Sequence, residues 1–318
     1  MKVFKLKKGD TTVYPITTRS DFESITGGVR PYVVDGTANE RRAFGICPAC
    51  ENPTQIIGLY KRISNRSIAP YAKHYNRDAE IAKHNEYTYK FCPYASHMYK
   101  GKEYETKTEL NELECNIYHA VRDNFDIAIY IMQQVSGLYL SETNMKALLQ
   151  NYICNEGHLY YGATVYNIPW MLLYMYTMPA RTCYGQIIKK GGFLHIMLQQ
   201  IPDITYENCT RMPGYCQIKG KNHKFIDYVF SFNQHQRKII DDEVCESLTL
   251  MVCSASHATE ENPVGKIKLK NNKLYINETR FPNTLHSPKI QEVRQAKHSQ
   301  DLLALAKEKM PELKASNK

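Results

Sequence analysis

At 318 residues, the chain is long enough for two or three compact units that each bury a core. Its residues are 43% apolar and 23% charged, which is ordinary for a globular protein and excludes wholesale disorder. No apolar stretch follows the basic N-terminus, and the longest one, at 168–178, is too short to span a bilayer. We therefore expect an intracellular, cytoplasmic protein without a membrane partner.

The formal net charge is +9, and the positive charge is concentrated near the N-terminus. Residues 1–107 carry 18 Lys and Arg against 11 Asp and Glu, whereas residues 108–200 carry 5 against 7. A basic domain favours an anionic partner, most simply DNA or RNA. Lysines that only keep the protein soluble are the plainer interpretation of the charge taken alone.

The first region of the chain, residues 1–107, is rich in β-formers and turn-formers. Short strands are predicted at 11–16, 30–34 and 56–60, with glycine-containing turns close to them. We expect a small basic domain that is mostly β or irregular.

Cysteine spacing within this region predicts a zinc site. In a reducing compartment, cysteines act as metal ligands or small buried groups more often than as disulfides. Cys47-Pro-Ala-Cys50 brings two thiols to one cation, and Cys92, in a second Cys-Pro turn, adds a third. The candidates for the fourth ligand are His74, His84 and His97. Four protein ligands complete the coordination of a tetrahedral zinc ion, so we expect a structural site rather than a catalytic one.

The segment between residues 60 and 75 alternates cations with tyrosines. Its cations are Lys61, Arg62, Arg66 and Lys73. Cations meet phosphates while tyrosine rings stack on exposed bases, so this segment is predicted to bind single-stranded or distorted nucleic acid. The chain has 24 tyrosines, however, and the alternative is that the rings of this segment pack against the metal turn.

The second region, residues 108–200, has the apolar spacing of helices. Apolar residues recur at steps of three and four from Leu110 to Met132, which predicts a long helix. A second helix is predicted to begin after Ser141, and Pro169 lies in the first turn of a third. The middle of the chain is therefore predicted to be helical.

The third region, residues 201–318, changes to the period of strands. Strands are predicted at 225–232 and 247–252, and a hairpin at 267–276. A final helix is predicted at 289–310, before Pro311. The predicted fold class is α+β: a small zinc-stabilised domain, a helical middle, and a β-rich region with a final helix. These three regions form one or two compact bodies.

No motif in the chain specifies a reaction, so a zinc-containing binding module is the leading interpretation. The first alternative is a Mg²⁺-dependent nuclease, because Asp203, Gln217 and Lys219 loosely match the groups of such sites. Short patterns of this kind occur by chance in most chains. The second alternative is a scaffold that binds other proteins and has no role with nucleic acid.

Several segments form a pattern that extends over most of the chain. They are Cys47-Pro-Ala-Cys50, Ile56-Ile57-Gly58-Leu59-Tyr60, Pro70-Tyr71-Ala72-Lys73-His74, Phe91-Cys92-Pro93-Tyr94-Ala95 and Leu302-Leu303-Ala304-Leu305-Ala306. The pattern resembles that of an uncharacterised family of bacterial hypothetical proteins, a resemblance that implies no particular activity. It implies that the Pro-Tyr-x-Lys-His segment belongs with the cysteines, and it therefore favours His74 as the fourth zinc ligand.

Overall fold

The computed structural model describes residues 1–36, 40–60, 69–241 and 243–315. The fold is α+β, with a helical middle and a β-rich C-terminal region, as predicted. The chain divides into two compact units. The first unit comprises Met1–Lys102, Leu110–Asn116 and Arg237–Cys245. The second unit comprises Glu103–Glu109, Ile117–Gln236 and Glu246–Lys318.

An antiparallel sheet forms the centre of the first unit, and its strand order is β3–β4–β5–β6. These strands are β3 (Val33–Asp35), β4 (Arg41–Ile46), β5 (Pro53–Ile57) and β6 (Tyr71–His74). They are preceded by β1 (Val3–Phe4), β2 (Tyr14–Pro15) and α1 (Arg19–Thr26), and followed by α2 (Glu86–Lys90). Phe4 lies so close to Gly45 that a Cβ at position 45 would come within 2.8 Å of its ring, so only glycine fits there.

Helix α1 was not predicted from the sequence. The Thr18 side chain caps it by accepting a hydrogen bond from the backbone N–H of Asp21. The helix ends at Gly27, which has a left-handed backbone conformation with φ of 71°. Phe22 on this helix is buried against Phe4, with their ring centroids 5.2 Å apart. The helix therefore contributes to the apolar core of the first unit.

The predicted helices of the middle region are present. They are α3 (Glu112–Ser136), α4 (Glu142–Cys154) and α5 (Ile168–Tyr176), and a short fourth helix, α6 (Phe193–Leu198), was not predicted. Ser141 caps α4 through its side chain, and Pro169 occupies the first turn of α5, as the sequence indicates. All nine residues of α5 are buried, so this helix lies within the core of the second unit.

The remaining strands form two further sheets, with strand orders β8–β10–β9 and β13–β12–β11–β7. Their bounds are β7 (Arg181–Thr182), β8 (Ile187–Lys189), β9 (Ile204–Asn208), β10 (Tyr215–Gly220), β11 (Val229–Ile240), β12 (Glu243–Cys253) and β13 (Lys273–Ile276). The last helices are α7 (Arg280–Leu285), α8 (Pro288–Gln295) and α9 (Lys297–Lys309). No helix within the described ranges is both long enough and apolar enough to cross a membrane.

Two local predictions for the C-terminal region are wrong. The predicted hairpin at 267–276 is absent from the described structure, because β13 pairs with β12 and places Leu274 opposite Leu248. Both leucines are buried there, which an isolated two-stranded hairpin would not achieve. The predicted single final helix is interrupted at Ala296, whose ψ of 134° is extended, and it forms α8 and α9 instead.

Candidate metal centre

Three separate segments of the first unit bring four ligand residues together. Cys47 and Cys50 lie on the turn between β4 and β5, where the backbone N–H of Glu51 donates to the carbonyl of Cys47. His74 is the last residue of β6, and Cys92 follows α2. The turn is formed locally, whereas the sheet and α2 bring the two distant ligands to it.

The ligand atoms of these four residues all lie within 4.8 Å of one another. The Cys47 and Cys92 sulfurs are 3.7 Å apart, and the Nε2 atom of His74 lies 3.3 Å from the Cys50 sulfur and 3.6 Å from the Cys92 sulfur. Ligands of a tetrahedral zinc ion, with Zn–S of about 2.3 Å and Zn–N of about 2.0–2.1 Å, are separated by about 3.8 Å between sulfurs and about 3.6 Å between sulfur and nitrogen. The spacing and chemistry of the donors therefore fit zinc.

A buried asparagine that sequence reasoning missed connects the turn to α2. The Asn52 side chain donates hydrogen bonds to the Cys50 sulfur at 3.3 Å, to the Thr88 hydroxyl at 2.9 Å and to the Asn85 carbonyl at 3.1 Å. In return, the side-chain oxygen Oδ1 of Asn52 accepts from the backbone N–H of Asn85 at 2.6 Å. These bonds orient a ligand thiol and fix the helix that precedes Cys92. Its position two residues after Cys50 is the only sequence signal for this role.

The three thiols of the cluster differ in pKa, because burial and contacts with one another affect them unequally. Burial raises the pKa of the Cys50 and Cys92 thiols well above the ordinary value. Burial would also raise the pKa of Cys47, but hydrogen bonds with the other two thiols and the nearby His74 imidazole lower it well below that value. The metal-free cluster thus favours one thiolate, and a bound cation would displace the remaining thiol protons.

A buried ion pair lies next to the β4–β5 turn that carries Cys47 and Cys50. The ammonium of Lys5 donates to the Glu51 carboxylate at 2.6 Å, and both side chains are at most 4% exposed. The same carboxylate oxygen accepts from the backbone N–H of Gly9 at 2.7 Å. Glu51 itself has a positive φ of 58°, which a turn residue tolerates when its surroundings hold it in place. The N-terminal segment is therefore anchored to the residue that follows Cys50.

The other candidate histidines lie outside this cluster. The Nε2 atom of His84 is 3.0 Å from a carboxylate oxygen of Glu86. His97 is exposed to solvent. Within the described ranges, the cluster of Cys47, Cys50, His74 and Cys92 is the only group of three or more His, Cys, Asp or Glu residues placed to hold a metal ion.

Most of the predicted nucleic-acid contact lies outside the described residues. Lys61, Arg62 and Arg66 belong to the segment 61–68, of which no structure is described. Lys73 is exposed on β6, opposite Gln55 of β5 and next to His74. The binding of nucleic acid by these four cations stays a prediction.

The residues of the nuclease alternative each have a separate contact. Asp203 accepts a hydrogen bond from the Tyr228 hydroxyl at 3.1 Å. The Gln217 amide donates to the carbonyl of Gly185 at 3.0 Å, and the Lys219 ammonium lies 3.8 Å from the Glu207 carboxylate. These contacts give each side chain a structural role, and the nuclease activity stays a prediction.

Comparisons with known proteins do not identify a family for this chain. No protein-family profile, curated protein or solved structure matches the chain. The resemblance to bacterial hypothetical proteins therefore stays a prediction, and the function has to be inferred from the metal-binding geometry.

Proposed function

We propose that this protein binds one zinc ion through Cys47, Cys50, His74 and Cys92, and that the ion is structural. The observation that carries the proposal is the convergence of three thiols and one imidazole in a buried cluster with tetrahedral spacing. Three sulfurs and one nitrogen select zinc over the harder cations Mg²⁺ and Ca²⁺. Because four protein ligands complete the coordination, no position remains for a catalytic water.

Zinc in this position would connect three parts of the first unit that are separate in sequence. The ion would join the β4–β5 turn, the end of β6 and the residue after α2. Metal binding supplies folding free energy directly, with apparent values of about 10–16 kcal/mol in zinc-finger peptides at neutral pH. A cytoplasmic location, which we also propose, would keep the thiols reduced and available.

Elemental analysis of the purified protein tests this proposal. We expect about one equivalent of zinc, and we expect Cys92→Ser and His74→Ala each to lose most of it. Cys115→Ser and His97→Ala are matched controls, since Cys115 is buried in the same unit but belongs to helix α3 and His97 is exposed. Well-folded wild-type protein without metal, or zinc loss in the His97 variant alone, would contradict the proposal.

We further propose that the first unit binds nucleic acid through Lys61, Arg62, Arg66 and Lys73. The support is the net charge of +7 over residues 1–107 and the sequence position of Lys61, Arg62 and Arg66 between β5 and β6, with Lys73 on β6. Zinc would fix His74 at the end of β6 and Cys50 just before β5, so it would also fix the strand that carries Lys73 and the strand that precedes the other three cations. In this way a structural metal serves a binding function.

Salt-dependent filter binding tests the role of these cations. For single strands, each phosphate contact contributes about 0.7 to the slope of log affinity against log salt. Changing Lys61, Arg62 and Arg66 together to alanine should lower that slope by about 2 without loss of zinc. A control that removes Lys297, Lys307 and Lys309, which are exposed on α9, changes the net charge equally. Equal effects of the two triple variants would show that only net charge matters and would refute this segment as the contact.

A further inference from the structure

An exposed aromatic ring lies beside a polar cavity in the second unit. Phe225 is 75% exposed, more than any other described large apolar side chain. It follows β10 in a short loop formed by residues 221–225, and it borders a cavity of about 260 Å³. Asp203, Lys221, Lys224, Asp227 and Tyr228 also line this cavity.

The loop is held in a defined shape at the mouth of the cavity. The backbone N–H of Lys221 donates to the carbonyl of Asp203 at 2.9 Å. A Cβ at position 220 would come within 2.0 Å of the Lys224 carbonyl oxygen, so only Gly220 lets the loop fold back this closely. Asn222, with φ of 54°, completes the reversal of the chain. The fold thus presents the side chains at 221, 224 and 225 together.

Aromatic rings and cations alternate on this surface. The ring of Phe225 lies 5.3 Å from that of Tyr184, and the Lys219 ammonium lies 5.5 Å from the centre of the Tyr184 ring. Lys221 and Lys224 are exposed. Among the described residues, neither has a carboxylate within ion-pair distance, so both ammonium groups are available to an anion.

The carboxylates of the cavity are already hydrogen-bonded. Asp227 accepts from the Ser254 hydroxyl at 2.5 Å and from the backbone N–H of Ser256 at 2.9 Å, and these bonds lower its pKa. Asp203 accepts from the Tyr228 hydroxyl at 3.1 Å. The carboxylate oxygens of both residues can accept further hydrogen bonds, which suit the N–H groups of bases or the hydroxyls of a sugar.

We infer that this surface binds single-stranded nucleic acid, with one nucleotide at the cavity. A base stacks on Phe225, the carboxylates of the cavity accept hydrogen bonds from the base or sugar, and Lys221 and Lys224 hold the flanking phosphates. The Tyr184 ring beside Phe225 offers a second stacking surface, which favours a strand over a mononucleotide. The charged neighbours of Phe225 make it unlike the apolar centre of a protein interface.

Binding of short oligo(dT) and oligo(rU) by the full chain tests the inference. Phe225→Ala should raise the Kd about tenfold, as the loss of one stacked base does, whereas Phe225→Tyr should leave it within about twofold. Changing Lys221 and Lys224 to alanine should lower the salt slope by about 1.4. Tyr275→Ala, which removes another exposed aromatic ring of the second unit, is the matched control. Equal Kd values for the wild type and Phe225→Ala would overturn the inference.

Photocrosslinking distinguishes binding at this surface from binding through the cations proposed for the first unit. With oligonucleotides that carry 5-iodouridine, we expect crosslinks to peptides that contain Tyr184 or Phe225, and we expect them to persist when Lys61, Arg62 and Arg66 are alanine. Crosslinks confined to residues 61–73 would overturn this inference and leave the contact proposed for the first unit standing. Thymidine monophosphate that binds as tightly as oligo(dT), or inorganic phosphate that competes equally well, would overturn the strand as the ligand.

Discussion

Different interactions stabilise the two units. The second unit buries large apolar side chains, and its helix α5 is enclosed on every side, with Trp170 completely buried. The first unit has a smaller apolar core around Phe4 and Phe22, and it also buries the three cysteines of the metal cluster and the Lys5–Glu51 ion pair. Burial of apolar surface stabilises without any ligand, whereas buried thiols and charges stabilise only when their partners are present. The stability of the first unit should therefore depend on metal, and that of the second should not.

Metal removal should have the largest effect and should be confined to the first unit. Chelation of zinc removes about 10 kcal/mol or more of binding free energy, comparable to the whole stability of a small domain. Hydrogen exchange followed by mass spectrometry should show fast exchange at β4–β6 and unchanged protection at α5. Uniform loss of protection in both units, or no loss in either, would contradict the difference between them.

Trp170→Ala should destabilise the second unit and leave the first unit unaffected. Loss of this buried ring should cost the second unit about 3–5 kcal/mol, measured by denaturant unfolding, because the cavity left in a closely packed core does not collapse fully. The zinc content should not change. Trp170→Phe is the matched control: it keeps an aromatic ring, and it removes an indole N–H that has no acceptor among the described residues. If the alanine variant instead lost zinc, the two units would not be independent in stability.

Glu51→Gln tests the buried ion pair of the first unit. It removes the carboxylate that faces the buried ammonium of Lys5, at a cost of about 3 kcal/mol. The double variant Lys5→Met, Glu51→Gln should recover much of that loss, because no buried charge remains and the amide oxygen can still accept from Gly9. Thermal unfolding of the zinc-loaded forms measures both effects. A double variant no more stable than the single one would show that the unpaired Lys5 ammonium is not the source of the loss.

Asn52→Ala should give the smallest loss of stability and a clear loss of metal affinity. The side chain makes four hydrogen bonds near the cluster, and their loss should cost about 1–3 kcal/mol. Support of a ligand from outside the coordination sphere is typically worth about 10–100-fold in metal affinity, which competition with a chromophoric chelator measures. Asn272→Ala removes a comparable bond to the Leu250 carbonyl in the second unit and should leave metal affinity unchanged.

Local signals account for what the sequence predicted correctly. The cysteine turn, the cap at Ser141 and the apolar periodicity of α3 each depend on residues a few positions apart. The sequence alone left the fourth ligand open, because His74 reaches the thiols only through the register that places it opposite Thr54. The Lys5–Glu51 pair and the β12–β13 pairing likewise join residues distant in the chain. The Thr18 cap of α1 is also a local signal, because Thr18 and Asp21 are three residues apart.

X-ray absorption spectroscopy at the zinc edge of the purified protein tests the central claim most directly. Coordination by Cys47, Cys50, Cys92 and His74 predicts three sulfurs at about 2.3 Å and one nitrogen at about 2.0–2.1 Å, with no further oxygen ligand. In the His74→Ala protein, any zinc that remains should keep its three sulfurs and lose the imidazole signal. A spectrum with an exchangeable water ligand, or an imidazole signal that survives His74→Ala, would contradict the closed structural site.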